Sequence, residues 1–390
     1  MKMIYLDHNA TTPVHPEVYE AMLPYFIDIY GNASSMHQSG REAKAALEEA
    51  RNAAADALGC NASELYFTSG GTESDNFAIK GTAFANRDKG KHIITSSIEH
   101  HAVEISCKFL EREGFEVTYL PVDSTGMVSP DDLKNAIRPD TTLVTIMHAN
   151  NETGVIQDIK SLINICKEAG VYYHTDSVQA TGKIPYKIDD LGCDLLSISA
   201  HKIYGPKGVG LIYIKSGTKI FPWNEGGGHE GGRRAGTENI GGIIGLVKAL
   251  QIADRDMEPR TKRLLKLTTK FYDMVKERIP DIRLNGSFEN RVPNTLNISF
   301  KAIEGESIIL SLDMKGIMVS SGSACTSGST EASHVLKAMN VPLDLAQGSI
   351  RFSFGRSNKE EDIDYVVDVL AEEVKRLRMI SPLYADSQKG

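Results

Sequence analysis

Asp176 and Lys202 each stand where an apolar run gives out, the first in His174-Thr175-Asp176-Ser177-Val178-Gln179, the second in Ser199-Ala200-His201-Lys202-Ile203-Tyr204-Gly205-Pro206. A carboxylate leaving a buried strand needs a cation or a solvated opening, although a strand-end Asp that caps the next helix meets the same description. A lysine in such a turn either snorkels to water or is held desolvated for Schiff-base chemistry. A third stretch, Leu65-Tyr66-Phe67-Thr68-Ser69-Gly70-Gly71-Thr72-Glu73-Ser74, runs from an apolar strand through a glycine turn into a helix start. Free backbone N–H groups and the helix dipole make a phosphate cradle there. It is not a P-loop, because the GxxxxGK(S/T) spacing is missing, and alone it reads equally as an ordinary turn with Thr72 as its cap. The conjunction is more specific than any member. Pyridoxal phosphate needs a lysine for its aldehyde, a carboxylate to keep the pyridine nitrogen protonated and a cup for its phosphate. All three occur in the same half of this chain.

The five cysteines, Cys60, Cys107, Cys166, Cys193 and Cys325, contain no CxxC pair, and their odd number argues against a disulfide framework or a structural zinc site. Cys60 follows a helix end, Cys107 and Cys166 lie in apolar helical patterns, and these three with Cys193 read as small core-filling hydrophobes. Cys325 is different. It sits in Ser321-Gly322-Ser323-Ala324-Cys325-Thr326-Ser327-Gly328-Ser329, a run of small residues with no apolar neighbours at helix or strand period. Such a run offers few contacts to hold one position, which suits a nucleophile that must move. His8, His92, His148, His174, His229 and His334 show no metal-ligand spacing, and no metal is expected.

These residues need a frame to bring them together. Apolar runs recur at Leu65–Thr68, His92–Ser96, Glu116–Leu120, Thr142–Met147, Val171–Thr175, Asp194–Ile198 and Val209–Ile214, with amphipathic helical stretches between many of them. The clearest helix is Arg41–Leu58, with Ala43, Ala46, Leu47, Ala50, Ala54 and Leu58 on one face and Gly59 as its stop. That alternation predicts a mostly parallel sheet with helices on both faces and a ligand site at the carboxyl ends of its strands. The rhythm breaks near Trp223 at a glycine-rich loop ending in Arg233 and Arg234, read as a flexible subunit-interface loop, and a helical pattern then continues to about Ile279. Strands at Asn294–Phe300, Gly316–Ser320 and Ser349–Phe354, with helices at Gly305–Asp313, Glu331–Met339 and Lys359–Met379, predict a smaller α+β unit. A chain of 390 residues with net charge −8 is long enough for two domains and too acidic for an ordinary nucleic-acid binder. No apolar window is long enough to span a membrane and no signal peptide opens the chain, so the cytoplasm is the expected compartment.

Nine motifs, in order along almost the whole chain, resemble those of the NifS/IscS cysteine desulfurases of the aminotransferase class V superfamily. They are YLDHNATT (Tyr5–Thr12), FTSGGTES (Phe67–Ser74), EHHAV (Glu99–Val103), HANNETG (His148–Gly154), HTDSVQ (His174–Gln179), SISAHKIYGPKG (Ser197–Gly208), RRAGTEN (Arg233–Asn239), SSGSACTSG (Ser320–Gly328) and IRFSFGR (Ile350–Arg356). The resemblance implies an α/β PLP-dependent transferase fold of the aspartate aminotransferase type, with a mostly parallel seven-stranded sheet and a smaller α+β domain. It places a large cofactor-binding domain over 15–255, and a small domain over 1–14 and 256–390 that carries the catalytic cysteine loop at about 321–333.

Carried over residue by residue, the resemblance makes Lys202 the cofactor's lysine and Asp176 the partner of its pyridine nitrogen. Gln179 and Asn150 would bond the ring hydroxyl, and His100 would stack on the ring and shuttle protons. Gly71, Thr72, Ser199 and His201 would hold the phosphate, with Thr237 reaching in from a second subunit. Arg351 and Asn32 would bind the substrate carboxylate, and Cys325 would be the nucleophile. The implied reaction converts L-cysteine to L-alanine in a homodimer, with sulfur passing through a Cys325 persulfide to a sulfur-acceptor or iron–sulfur scaffold protein. An aminotransferase of the same fold, which needs no Cys325, and a selenocysteine lyase, which uses the same groups, are the rival activities. A non-catalytic cofactor-binding paralogue would have no reason to keep both Lys202 and Cys325.

Overall fold

The computed structural model describes residues 3–321, 332–381 and 384. Cys325 lies outside the described residues, as does nearly all of the loop expected at about 321–333. After β1 (Ile4–Tyr5), the expected apolar runs appear as β2 (Leu65–Thr68), β3 (His92–Ser96), β4 (Glu116–Leu120), β5 (Thr141–Thr145), β6 (Tyr172–Asp176), β7 (Leu195–Ser199) and β8 (Gly210–Ile214). These seven, β2 to β8, form one sheet in the order β2-β8-β7-β6-β5-β3-β4. The pairs from β7 through β6, β5 and β3 to β4 are parallel, and β8 alone runs antiparallel to both of its neighbours. β3, β5, β7 and β8 are buried along their whole length. That is what a sheet covered on both faces demands, and it explains why these strands read as continuous apolar runs rather than alternating ones.

The covering helices follow from their apolar stripes. The helix Gln38–Leu58 buries Ala43, Ala46, Leu47, Ala50, Ala54 and Leu58, starts with the His37 side chain accepting the Gly40 N–H, and stops at Gly59 with φ 69°. A residue without Cβ adopts that left-handed turn most cheaply. Leu47 and Leu58 then pack with Phe67, Ile94, Val144 and Leu196 in the largest core cluster. Each such side chain contributes roughly 1.5–3 kcal/mol on burial.

A second sheet is antiparallel, in the order β12-β10-β9, from β9 (Ile282–Asn285), β10 (Thr295–Phe300) and β12 (Ser349–Ser353); β11 (Ile317–Met318) pairs in parallel with β1. Ile4 and Leu6 from the start of the chain therefore share a core with Phe271, Phe300, Phe352 and Val367. β1 and β9 were not expected from the sequence, being too short for a period to show. The helical pattern running to Ile279 is in fact two helices, Ile240–Arg255 and Met257–Arg278. Pro259 explains the restart: it has no N–H to give the Arg255 carbonyl and is tolerated only in a first turn. The helix expected over Glu331–Met339 is described as His334–Ala338, with Ser333 Oγ accepting from the Val335 and Leu336 N–H groups. Among the described residues, no helix is long and apolar enough to cross a membrane.

Candidate active site

The parallel strands deliver their carboxyl ends to one side of the sheet, and the expected residues meet there. Asp176 ends β6, Ser199 ends β7, and a single 3-10 turn, Ala200–Lys202, follows β7 at once. β2 ends at Thr68 and turns through Gly70 and Gly71 into the helix Gly71–Asn76. Gly70 adopts φ 156°, and Gly210 of β8 lies so close that a Cβ there would sit 2.6 Å from the Gly70 Cα. Both positions thus exclude side chains, which sharpens the turn and leaves the helix start facing inward. The resulting cavity of about 370 Å³ is lined by Gly71, Thr72, His100, Asp176, Gln179, Ser199, His201, Lys202 and Arg351 together.

Electrostatics separate the roles open to these groups. Asp176 is 7% exposed. Burial pushes its carboxyl up to about 6, while the Val178 N–H at 2.9 Å and the nearby Lys202 hold it down. Asp75, one turn into the helix Gly71–Asn76, is buried on the same cavity; burial and the charge of Asp176 push its carboxyl well up. Two buried carboxylates facing one cavity oppose each other's ionisation, and Asp176, with the Val178 N–H and Lys202 beside it, is the better placed to hold the charge. His174 Nε2 lies 3.7 Å from Asp75 Oδ1, and burial lowers this imidazole to about 3, so it stays neutral. His100 caps the helix His101–Arg112 by accepting the Ala102 N–H on Nδ1 at 3.1 Å. Burial, with Lys202 nearby, lowers its pKa to about 4. The capping bond requires an unprotonated Nδ1, so the neutral ring carries its hydrogen on Nε2.

Lys202 donates from Nζ to the Asn9 and Ala10 carbonyls at 2.7 and 2.8 Å. Arg351, 2% exposed, donates to Asp7 Oδ1 at 2.8 Å and to the Asn151 carbonyl at 3.0 Å. Its guanidinium is therefore fixed in place at the cavity wall. Gln179 donates from Nε2 to the Asn9 carbonyl at 3.1 Å and accepts from the buried Lys183.

Three expected residues are not brought to the cavity of their own chain. Asn150 is fully buried, with Nδ2 on the Ile98 carbonyl and Oδ1 on the N–H groups of Glu152 and Thr153, so its amide builds the loop. Its neighbour Asn151 lines the cavity instead, a correction that two adjacent asparagines in His148-Ala149-Asn150-Asn151 left open. Asn32 and Thr237 are exposed and absent from the lining. Asn32 Oδ1 accepts the local Ser34 N–H at 2.9 Å. Sequence reasoning also passed over Asn9, Asp75 and Lys183. Asn9 and Asp75 lay inside or directly after quoted motifs, while Lys183 carried no signal beyond its place shortly after Gln179.

The model of the family described as Aminotransferase class-V matches residues 4–366. The chain belongs to the class-V aminotransferase family. It is 56% identical to a protein named cysteine desulfurase IscS from Dictyoglomus turgidum, over 97% of this chain and 96% of that one. It is 55% identical to a cysteine desulfurase IscS from Methanosarcina thermophila, over 98% and 94%. A solved structure titled NifS-like protein superposes with a TM-score of 0.91 at 39% identity, covering 96% of this chain and all of its own. One titled SspA in complex with cysteine has a TM-score of 0.81 at 36% identity, covering 90% and 98%. As a class-V aminotransferase the chain is a pyridoxal-phosphate enzyme, and its cavity suits that cofactor. A buried carboxylate whose pKa has risen to about 6 gains most from a proton-bearing cation opposite it, which the pyridine ring supplies.

Proposed function

We propose that this class-V aminotransferase is a cysteine desulfurase, taking the sulfur of L-cysteine and leaving L-alanine. The observation that carries the reading is the convergence of Lys202, Asp176, His100 and Arg351 on one cavity in a chain whose full-length relatives bear that name. When bound, pyridoxal phosphate supplies an electron sink for the carbon next to the substrate amine. Asp176 would hold the proton on the pyridine nitrogen and so keep the sink effective. Lys202 would carry the aldehyde, and its amine, once released, would take the substrate's Cα proton. His100 would lie against the ring and offer the hydrogen on Nε2. Gly71 and Thr72 N–H groups with Ser199 and His201 would hold the phosphate; Gln179 and Asn151 would face the ring and substrate.

Arg351 would pair with the substrate carboxylate, trading its present bond to Asp7. Cys325 would supply the thiolate: its sulfur bonds to the substrate sulfur as the carbon–sulfur bond breaks, and the electron pair left on carbon takes a proton to become alanine. Support comes from the other four cysteines. Burial pushes Cys60, Cys166 and Cys193 up to about 12 and Cys107 higher still, so none offers a thiolate near neutral pH. The persulfide would pass to an acceptor or iron–sulfur scaffold protein in the cytoplasm.

The active form would be a homodimer. Phe26, Ile27, Tyr30 and Met36 are 60–91% exposed around Asn32, an apolar surface of the kind that marks a protein contact. A second copy there accounts for Asn32 and Thr237 standing away from their own cavity.

The test is to incubate the purified protein with cysteine and dithiothreitol and to measure sulfide and alanine. Equal amounts are expected, together with one extra sulfur on Cys325 by peptide mass after a single turnover. A keto acid in place of alanine would identify an aminotransferase instead.

A further inference from the structure

Lys183 is a buried lysine with no carboxylate partner among the described residues. It is 7% exposed, and Nζ donates to Asn9 Oδ1 at 2.8 Å and to Gln179 Oε1. Such a group is costly to bury and is retained only where its hydrogen bonds hold something in place. Burial, with Lys202, Arg351 and Arg260 close by, moves its pKa well down. A neutral amine still has two N–H bonds for these two acceptors, so the geometry holds in either protonation state.

Both acceptors belong to the cofactor cavity. Gln179 and Asn9 line it. In its charged form Lys183 has no acceptor, so Gln179 turns Oε1 toward it. The reversed amide would in addition set Oε1 against the Asn9 carbonyl oxygen, in either protonation state. Nε2 is then fixed on the other side, where one of its hydrogens meets the Asn9 carbonyl at 3.1 Å. Its second hydrogen has no other partner among the described residues. Asn9 is held still more completely: Nδ2 donates to Thr295 Oγ1 at 2.8 Å and to the Asn151 carbonyl at 3.2 Å, and its N–H reaches Ser353 Oγ at 3.0 Å. Its carbonyl accepts from both Gln179 and Lys202. One amine therefore touches both side-chain amides, sharing Asn9 Oδ1 with Asn294 Nδ2 at 3.1 Å, and the backbone carbonyl of the same Asn9 is the oxygen against which Lys202 Nζ rests.

We infer that Lys183 is a positioning residue for the cofactor site: it locks Gln179 as a donor toward the ring oxygen and, through Asn9, fixes the seat of the Lys202 amine. The inference rests on the proposed assignment of Lys202 and Gln179 to the cofactor. No contact between Lys183 and cofactor or substrate is involved.

The experiment compares the cofactor-loaded full-length parent with Lys183→Met and with Lys183→Gln, which keeps one N–H. The readouts are the visible absorption band followed against pH, the cofactor dissociation constant and the unfolding temperature. Lys183→Met should move the midpoint of the band's pH titration by a unit or more and weaken cofactor binding at least tenfold. Lys183→Gln should move both in the same direction by less. In a Gln179→Ala background, Lys183→Met should add much less than it does alone, since the two side chains act as one unit. A structural role alone would lower the unfolding temperature and leave the midpoint where it was; that result, or full additivity with Gln179→Ala, overturns the inference. If Lys183→Met does not accumulate as folded protein, an unchanged midpoint in Lys183→Gln has the same force. Failure of the underlying reading looks different: the parent itself would show no band, or borohydride would leave its pyridoxyl label on a lysine other than Lys202.

Discussion

At the scale of single residues, the site is organised by what burial does to charge. Asp176 rises from its ordinary 3.8 to about 6, so between those values the folded chain binds more protons than the unfolded one. Its contribution to the stability of the cofactor-free protein is therefore full below about pH 4 and is lost as pH rises through 6. Asp176→Asn should raise the unfolding temperature of the cofactor-free protein at pH 8 by a few degrees and leave it little changed at pH 4. The same change should cost the loaded enzyme about a hundredfold or more in Cα–H exchange of cysteine, because the pyridine nitrogen loses the group that holds its proton. Scanning calorimetry at the two pH values and exchange in deuterated water check the pair. Arg351 makes a complementary case. Its fork already spans Asp7 and the Asn151 carbonyl, a geometry a lysine cannot copy. Arg351→Lys should raise KM for cysteine about tenfold or more, the loss of one charge-assisted hydrogen bond, while the cofactor spectrum stays intact.

At the scale of elements, chemistry sits where secondary structure starts and stops. His100 is at once the N-cap of the helix His101–Arg112 and a wall of the cavity, so replacing it with alanine would confuse two effects. His100→Asn keeps a good capping acceptor and removes the imidazole. It should leave the unfolding temperature within about 2 °C, a shift expected of well under 1 kcal/mol, and lower turnover by about a hundredfold, in the range of a lost proton-transfer group. A large drop in stability without loss of rate would return His100 to a purely structural part. The strand ends were legible from sequence because buried parallel strands are largely apolar runs with polar ends, as in Thr142–Met147 followed by His148. β1 and β9 were not, since two or four residues carry too little pattern, and the break at Asp256 falls in the charged stretch between Ala253 and Leu264, where no apolar period marks one helix's end from the next one's start. The same limit hid which asparagine lines the cavity, Asn151 rather than Asn150: adjacent identical residues share a motif, and only the turn decides which one faces it.

At the scale of the whole molecule, the proposed homodimer would complete the site. Thr237 is exposed and outside the cavity of its own chain, and the proposed dimer would supply it from the second copy. Mixing makes a sharp test. Lys202→Ala homodimers should be inactive and Thr237→Asp homodimers strongly impaired by charge against the phosphate. Dimers reassembled from both should recover up to about half of parental activity per site, a site combining an intact Lys202 with an intact Thr237 of the partner. No recovery on mixing would confine Thr237 to its own subunit. Phe26→Ser with Tyr30→Ser should shift sedimentation toward monomer and release cofactor, as removal of an apolar contact surface predicts.

The sequence by itself determined the chemistry on offer: Lys202, Asp176, the glycine turn at Gly70 and Gly71, and the strand–helix alternation that must gather them at one edge of a sheet. Those are local properties, set by residue type and period. Only the tertiary structure decided what surrounds each group: that Asp75 and Asp176 face one cavity, that the Asn9 carbonyl seats Lys202, and that Lys183 meets the Gln179 oxygen. Desolvation and hydrogen-bond saturation depend on side chains from opposite ends of the chain meeting in space, as Asn9 meets Thr295 and Ser353, and no spacing along the chain encodes that encounter.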